Sequence, residues 1–361
     1  MRFVIAAGGT GGHLFPGLAV GEVLIARGHE VMILISEKEI DALATEGRKE
    51  FRIEKVAGVG LQSKSPLALW RFWMGLRTAK KQCARLFLDW KPSAVLGMGG
   101  FTCFAPIVTG RKRGLPTFVH ESNAIPGRAN RLNARYVTRV LLGFAECRAH
   151  FPESQCEVTG TPIRSALTQH VEKSAARAAF GLSSKKSTLL VMGGSQGASG
   201  INKAVASALP KLAGRDLQAI HLTGKGGEES TREAYANSGM PAYVAAFYHR
   251  MQEAYGAADM AIARSGAASL TELSHFGLPG VLIPFPYAAD DHQTANAQIF
   301  DRAGAGVMLK ESDATGDTLA QKISSLLDSP EQLAVMSQNS RRLAPAQAAE
   351  RVADTILTFC T

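Results

Sequence analysis

Short apolar runs recur along the chain, each followed by a glycine-rich or polar turn and then by a helical pattern. The first begins at Val4, enters a loop containing Gly8, Gly9, Gly11 and Gly12, and continues into an apolar helix pattern that closes at Gly28. Continuous apolar runs at 31–35 and 94–96 and a short strand pattern at 117–119 predict further strands in the first half. The stretch VTGTPIR at 158–164 reads as a crossover, a strand end followed by turn residues and a polar stretch, after which the plan repeats. Strands are predicted at 188–192, 217–222, 242–247, 260–263 and 280–284, with a helix at 201–212 and helical stretches between the others. Such alternation argues for parallel sheets covered on both faces, hence an α/β chain of two Rossmann-like domains. Residues 331–361 are helical and alanine-rich, broken at Pro345, and are expected to pack back across the domains.

Length supports that division, because 361 residues exceed one ordinary core and suggest two domains of roughly 150 to 200 residues. A hydrophobic content of 46% with 20% charged residues describes a globular protein. The net charge of +9 favours an anionic partner: nucleic acid, an anionic membrane surface or a phosphorylated substrate. Cys83, Cys103, Cys147, Cys156 and Cys360 are scattered without a CxxC pair, as expected of reduced cytosolic cysteines rather than a zinc or redox site. The N-terminus enters a strand directly, without an export leader, and the uncharged run at 93–110 is broken by Gly97, Gly99, Gly100 and Pro106. A cytoplasmic chain without a membrane span is therefore expected.

The glycine loops carry the candidate chemistry. In GGTGGHLFPG the backbone can approach a ligand closely, and the free N–H groups of the following helix favour negative charge. Pro16 is read into the first helical turn. His13, at the positive end of that helix, is expected to keep a neutral ring able to accept a proton, the alternative being a helix-start hydrogen bond. Glu37 falls near the place of a ribose-binding acid, but the loop lacks the last glycine of a dinucleotide fingerprint, which weakens an NAD reading. A second loop, Gly97, Gly99 and Gly100, and the cluster His120, Glu121, Ser122 and Asn123 both follow predicted strands and could share one edge. In the second half, GGSQGASG forms a third loop, and ARSGAASLTE places small residues at a helix start with Glu272 about two turns in. Asp290 reads as the N-cap of the next helix, ahead of Asp291, His292, Gln293 and Asn296. No D-x-D occurs, so no carboxylate cage for a metal diphosphate is visible and helix ends would have to take that charge.

All three tryptophans, Trp70, Trp73 and Trp90, fall within 61–90, interleaved with Arg71, Arg77, Lys80, Lys81 and Arg85. This pattern fits either an amphipathic helix packed on the sheet or a surface resting on anionic headgroups.

GGTGGHLFPGLAVGEVL, VLGMGGFTCFAP, HESNAIPGRANR, GTPIR, GGSQGA, RSGAASLTE and DHQTANA, in this order over essentially the whole chain, resemble the MurG family of peptidoglycan N-acetylglucosaminyltransferases. The resemblance implies a GT-B fold, two Rossmann-like domains facing across a deep cleft. It further implies inverting transfer of GlcNAc from UDP-GlcNAc to the MurNAc 4-OH of undecaprenyl-pyrophosphoryl-MurNAc-pentapeptide (lipid I), giving lipid II and UDP in cell-wall synthesis. Expected divisions are 1–163 for acceptor and membrane docking, 164–343 for UDP-GlcNAc, and 344–361 as a C-terminal helix packing back on the first domain. Carried over by residue, Thr10, Gly11, Gly12, Asn123 and Arg164 contact the donor, and Ser195 meets the diphosphate. The backbone of Tyr248 meets uracil, Ala267, Ala268 and Ser269 the diphosphate, Glu272 the ribose and Gln293 the GlcNAc hydroxyls. Tyr248 and His292 depart from residues found in some members. His13 is the expected base, with Glu121 its rival; no metal or cofactor is implied. Docking through Trp70, Arg71, Trp73, Arg77, Lys80 and Lys81 would place the protein on the inner face of the plasma membrane, where lipid I synthase and divisome proteins are expected partners. Competing readings are a UDP-sugar epimerase or another UDP-sugar enzyme of the same fold, an NAD(P) oxidoreductase, and a basic adaptor. No aromatic RNA-binding motif or helix-turn-helix pattern supports nucleic acid.

Overall fold

The computed structural model describes residues 1–8, 11–36, 47–57, 65–169, 171–194, 197–345 and 347–360. Thr10, Glu37 and Ser195 lie outside them. The chain divides into two compact units, Met1–Ser165 with Pro345–Thr361, and Ala166–Ala344.

The first unit holds strands β1 (Arg2–Ala6), β2 (Glu30–Ile35), β3 (Arg52–Lys55), β4 (Ala94–Gly97), β5 (Thr117–Glu121), β6 (Arg139–Leu142) and β7 (Cys156–Val158). They form one parallel sheet in the order β3-β2-β1-β4-β5-β6-β7, with Val4 opposite both Met32 and Val95. Its helices are α1 (Gly11–Ala26), α2 (Pro66–Trp90), α3 (Phe104–Lys112) and α4 (Arg128–Asn133). Leu14, Leu18 and Leu24 of α1 bury against Phe3, Ile5 and Ile33 on one face of the sheet. Leu76, Cys83 and Phe87 of α2 and Ile107 of α3 bury with Val4 and Met32 on the other. Burial on both faces explains why the central strands read as unbroken apolar runs. A carbon built on Gly17 would lie 2.7 Å from Ala7 Cβ, so only glycine lets α1 lie this close to the sheet. Pro16 falls inside α1 rather than in its first turn, removing the helical bond to the Gly12 carbonyl.

The second unit carries β8 (Ser187–Met192), β9 (Leu217–Leu222), β10 (Ala242–Ala245), β11 (Met260–Ala263), β12 (Gly280–Leu282) and β13 (Val307–Met308), parallel in the order β10-β9-β8-β11-β12-β13. Its helices are α5 (Lys173–Ala179), α6 (Ser199–Leu212), α7 (Glu228–Ser238), α8 (Met251–Ala257), α9 (Ala267–Phe276), α10 (His292–Arg302), α11 (Gly316–Leu327) and α12 (Pro330–Leu343). Ile201, Val205 and Leu209 of α6 and Leu319 and Ile323 of α11 bury with Leu189, Val191 and Ile262 of the sheet. The chain then returns to the first unit as α13 (Ala348–Thr358), whose Val352, Ala353 and Ile356 join the core beneath α1.

Strands β3, β6 and β13 are not among those the apolar pattern predicts. β3 and β13 are sheet edges, partly exposed and so not selected for continuous apolarity. Asp290 is not the N-cap of α10: that position belongs to Asp291, both residues are left-handed (φ 51° and 53°), and Asp291 accepts from the Thr294 hydroxyl (2.7 Å) rather than from a backbone N–H.

Candidate functional site

In each unit the strand order reverses beside a glycine loop, between β1 and β4 and between β8 and β11. Open parallel sheets bind ligands at such switch points, off the carboxyl ends of the strands.

At the first switch point the two glycine loops share one edge. Met98 N–H donates to Ala6 O (2.8 Å), and the Thr102 hydroxyl donates to Gly8 O (3.0 Å). Beneath them the Cys103 sulfur lies 3.1 Å from Ala6 O and 2.8 Å from Gly99 O and accepts Gly99 N–H. Burial pushes that thiol up to about 12, so it stays protonated and donates. Gly99 and Gly100 are left-handed (φ 116° and 75°). A carbon built on Gly99 would lie 2.8 Å from His13 Nε2, and one on Gly100 3.5 Å from His13 Cε1. The imidazole, in the first turn of α1, therefore lies against both Gly99 and Gly100 of the second loop. Gly11 and Gly12 open the same turn.

Glu121, at the end of β5, is buried and saturated. One carboxylate oxygen accepts Asn123 N–H (2.9 Å) and Asn123 Nδ2 (3.0 Å); the other accepts Gly127 N–H (3.0 Å) and Asn130 Nδ2 (2.9 Å). Asn130 also approaches Gly99, 3.4 Å from a carbon built there, so His13 and Asn130, the latter bonded to Glu121, converge on one glycine. His120 points into the core, its Nε2–H donating to Gly160 O (2.9 Å), and burial lowers its pKa. Arg164 stacks its guanidinium 4.1 Å over the Phe15 ring, and no described residue accepts from its buried Nε–H.

At the second switch point, Gly194 and Gly197 are left-handed and Gly197 N–H closes the loop onto Gly194 O (3.0 Å), just before α6 begins. Ala267, Ala268 and Ser269 form the first turn of α9 behind an extended Gly266. Gln293 accepts Ser265 N–H (3.3 Å) and Phe285 N–H (3.0 Å) through its amide oxygen, which turns its NH2 group away from both. Tyr255 donates to Glu272 Oε2 (2.5 Å) and stacks on Phe276. The Tyr248 ring packs on Phe180 and Tyr243, and its hydroxyl bonds Glu253. Burial, then Glu253, raises the Tyr248 phenol pKa.

Several residues here escape sequence reasoning. Asn130 and Phe15 stand inside quoted motifs but read as helix positions. Arg264, buried after β11, donates to Ile283 O (3.2 Å) and Pro284 O (3.1 Å) and pairs with Glu311. Its one available signal is a lone arginine directly after an apolar strand.

Helix α2 is split lengthwise. Leu67, Trp70 and Trp73 are 57%, 60% and 58% exposed and lead into exposed Arg77 and Lys81, with Arg71 alongside. Lys80 is half-buried over the Phe104 ring (5.4 Å), and burial followed by Lys112 lowers its pKa. Trp90 stands apart, covered by Arg2 and Arg52. Among the described residues no helix is long and apolar enough to cross a membrane, and no cluster of His, Cys, Asp and Glu could hold a metal ion.

The doubled sheet with a glycine loop at each switch point is that of a GT-B glycosyltransferase. The chain matches the Glycosyltransferase family 28 N-terminal domain over 3–142 and the Glycosyltransferase family 28 C-terminal domain over 188–354. It is 38% identical over 358 residues, 98% of this chain and 97% of the other, to the UDP-N-acetylglucosamine--N-acetylmuramyl-(pentapeptide) pyrophosphoryl-undecaprenol N-acetylglucosamine transferase of Geotalea uraniireducens. The crystal structure of Acinetobacter baumannii MurG is similar at 28% identity and a TM-score of 0.79, covering 99% of this chain and 100% of that one. A UDP-GlcNAc 2-epimerase from Neisseria meningitidis shares the fold at 12% identity and a TM-score of 0.72, covering 99% of this chain and 100% of that one. The chain belongs to the MurG family of N-acetylglucosaminyltransferases.

Proposed function

We propose that this chain transfers GlcNAc from UDP-GlcNAc to the MurNAc 4-OH of lipid I, giving lipid II and UDP with inversion at the sugar C1. The observation that carries the reading is the near full-length identity to transferases of that name. The switch-point geometry gives it a chemistry. His13 accepts the 4-OH proton as that oxygen bonds to C1, while the bond from C1 to the diphosphate breaks and its electron pair leaves with UDP. Amides at the N-termini of α6 and α9, the loops carrying Thr10, Gly11, Gly12 and Ser195, and Arg164 stabilise the diphosphate charge.

Other roles follow the same frame. Glu272, braced by Tyr255, accepts from the ribose hydroxyls, and Gln293 donates to the sugar through the NH2 that its amide oxygen orients. The Tyr248 backbone meets uracil. Asn123 touches the donor sugar, and Glu121, with four donors already on its carboxylate, shapes the Asn123–Asn130 turn instead of taking a proton. The first unit receives the acceptor and rests on anionic lipid through Trp70, Arg71, Trp73, Arg77, Lys80 and Lys81, on the inner face of the plasma membrane.

The test is transfer of radiolabelled GlcNAc from UDP-GlcNAc to a short-chain lipid I analogue by the wild type, His13→Ala and Glu272→Ala. Product from the wild type only supports the assignment. Product from His13→Ala at the wild-type rate removes His13 as base, and absence of product despite UDP-GlcNAc binding turns the reading toward an epimerase or another acceptor.

A further inference from the structure

Behind the third glycine loop, the buried Tyr235 and His221 and the half-buried Asn202, from three elements, form one hydrogen-bonded chain. Tyr235 of α7 lies 3.2 Å from Nδ1 of His221, the last residue but one of β9. His221 Nε2 lies 3.0 Å from Asn202 Oδ1, in the first turn of α6, and Asn202 Nδ2 donates to Thr223 O (3.0 Å) just past β9. Direction follows from chemistry, because the Thr223 carbonyl can only accept. Asn202 therefore turns its oxygen to His221, Nε2 carries the imidazole proton, and Nδ1 accepts the Tyr235 hydroxyl. His221 is 0% exposed and Tyr235 3%; burial lowers the imidazole pKa to about 4 and keeps the ring neutral.

The chain ends where the loop rests. A carbon built on Gly197 would lie 2.6 Å from Thr223 O and 2.8 Å from Gly224 Cα, so the loop backbone sits directly on the carbonyl that Asn202 holds. Thr223 N–H is fixed in turn to Ala245 O (3.0 Å). Aliphatic side chains could fill this space without the desolvation that a hydroxyl, an imidazole and an amide must overcome. What the polar chain adds is direction: it fixes the first turn of α6 and the seat of Gly197 relative to each other.

We propose that Tyr235, His221 and Asn202 are positioning residues for the nucleoside diphosphate, setting Gly197 and the first amides of α6 at the spacing its phosphates require. The proposal rests on the reading that the second unit binds UDP-GlcNAc. Its test uses the full-length enzyme with His221→Leu, Tyr235→Phe and His221→Gln, reading the UDP Kd by calorimetry, the KM for UDP-GlcNAc, kcat and the melting temperature. His221→Leu is expected to raise KM and Kd about tenfold, the worth of roughly one buried hydrogen bond, with kcat within about twofold and melting unchanged or higher. Tyr235→Phe, which leaves the Nε2 link, should raise both about threefold. His221→Gln, whose amide N–H can still reach Asn202 Oδ1, should restore them to within about threefold of wild type. Wild-type affinity in His221→Leu, a fall in kcat alone, or melting losses that parallel the KM changes in all three variants would overturn the proposal. A wild-type protein that binds no UDP would instead remove the donor-site reading on which it rests.

Discussion

Replacing Gly99 with alanine separates backbone strain from displacement of His13. At φ 116° Gly99 occupies a region that L side chains rarely adopt, which alone costs about 1–3 kcal/mol. The new methyl would also stand 2.8 Å from His13 Nε2 and 2.9 Å from its Cδ2, whereas carbon packs at about 3.5–4.0 Å, so the ring must retreat by roughly 1 Å. A misplacement of about 1 Å at a reacting group costs on the order of 100-fold in rate. Gly114 supplies the control: it is also left-handed (φ 73°), but a carbon built there meets nothing within 4 Å. Gly114→Ala should therefore lower stability by about 1–2 kcal/mol without touching the site. Urea midpoints for the two variants, measured beside kcat for GlcNAc transfer, give the comparison. Similar stability losses with turnover lost only in Gly99→Ala are expected. Turnover within twofold in both would refute the placement of His13 over the second loop as the basis of its role.

Three further outcomes follow from the same geometry. Glu121→Gln puts an amide NH2 against two of the four donors that now converge on the carboxylate, so melting should fall by the equivalent of about 1–3 kcal/mol together with turnover; turnover lost at unchanged melting temperature would make Glu121 the base after all. Trp70→Ser with Trp73→Ser removes two exposed rings, so co-sedimentation with anionic vesicles should drop while melting holds, and unchanged sedimentation would refute docking through α2. Because folding lowers the His221 pKa from 6.5 to about 4, the neutral ring's contribution is fully present above pH 6.5 and is lost as pH falls toward about 4, an effect of roughly 3 kcal/mol. Buried His120 acts in the same direction. Urea midpoints between pH 7 and pH 4 should thus slope less in His221→Gln than in wild type, and equal slopes would refute the assignment.

What the sequence exposes is local. A strand, a glycine loop and a helix start are consecutive residues, so the loops at Gly8, Gly99 and Gly197 and the small-residue turn at Ala267 are legible from spacing alone. What it conceals is which loops become neighbours, because that depends on strand order: β4 lies beside β1, and β11 beside β8, only after the sheet has formed. His13 over Gly99 is a contact of this second kind, and so is the Thr102 hydroxyl on Gly8 O. The same division separates ligand-facing groups from the groups that hold them. A carboxylate after a strand suits a general base and a loop clamp equally well, and the donors from Asn123, Gly127 and Asn130 that surround Glu121 come into view only with the fold. Gln293 is another case: the fold shows its oxygen held by the backbone N–H groups of Ser265 and Phe285, which leaves the NH2 as the group that can face a ligand. Since a crevice at a switch point is walled by segments far apart in sequence, each wall must be tied to the other by side-chain-to-backbone bonds. Those ties follow no spacing rule, which is why Asn130, Arg264 and His221 carry so little signal before the fold is known.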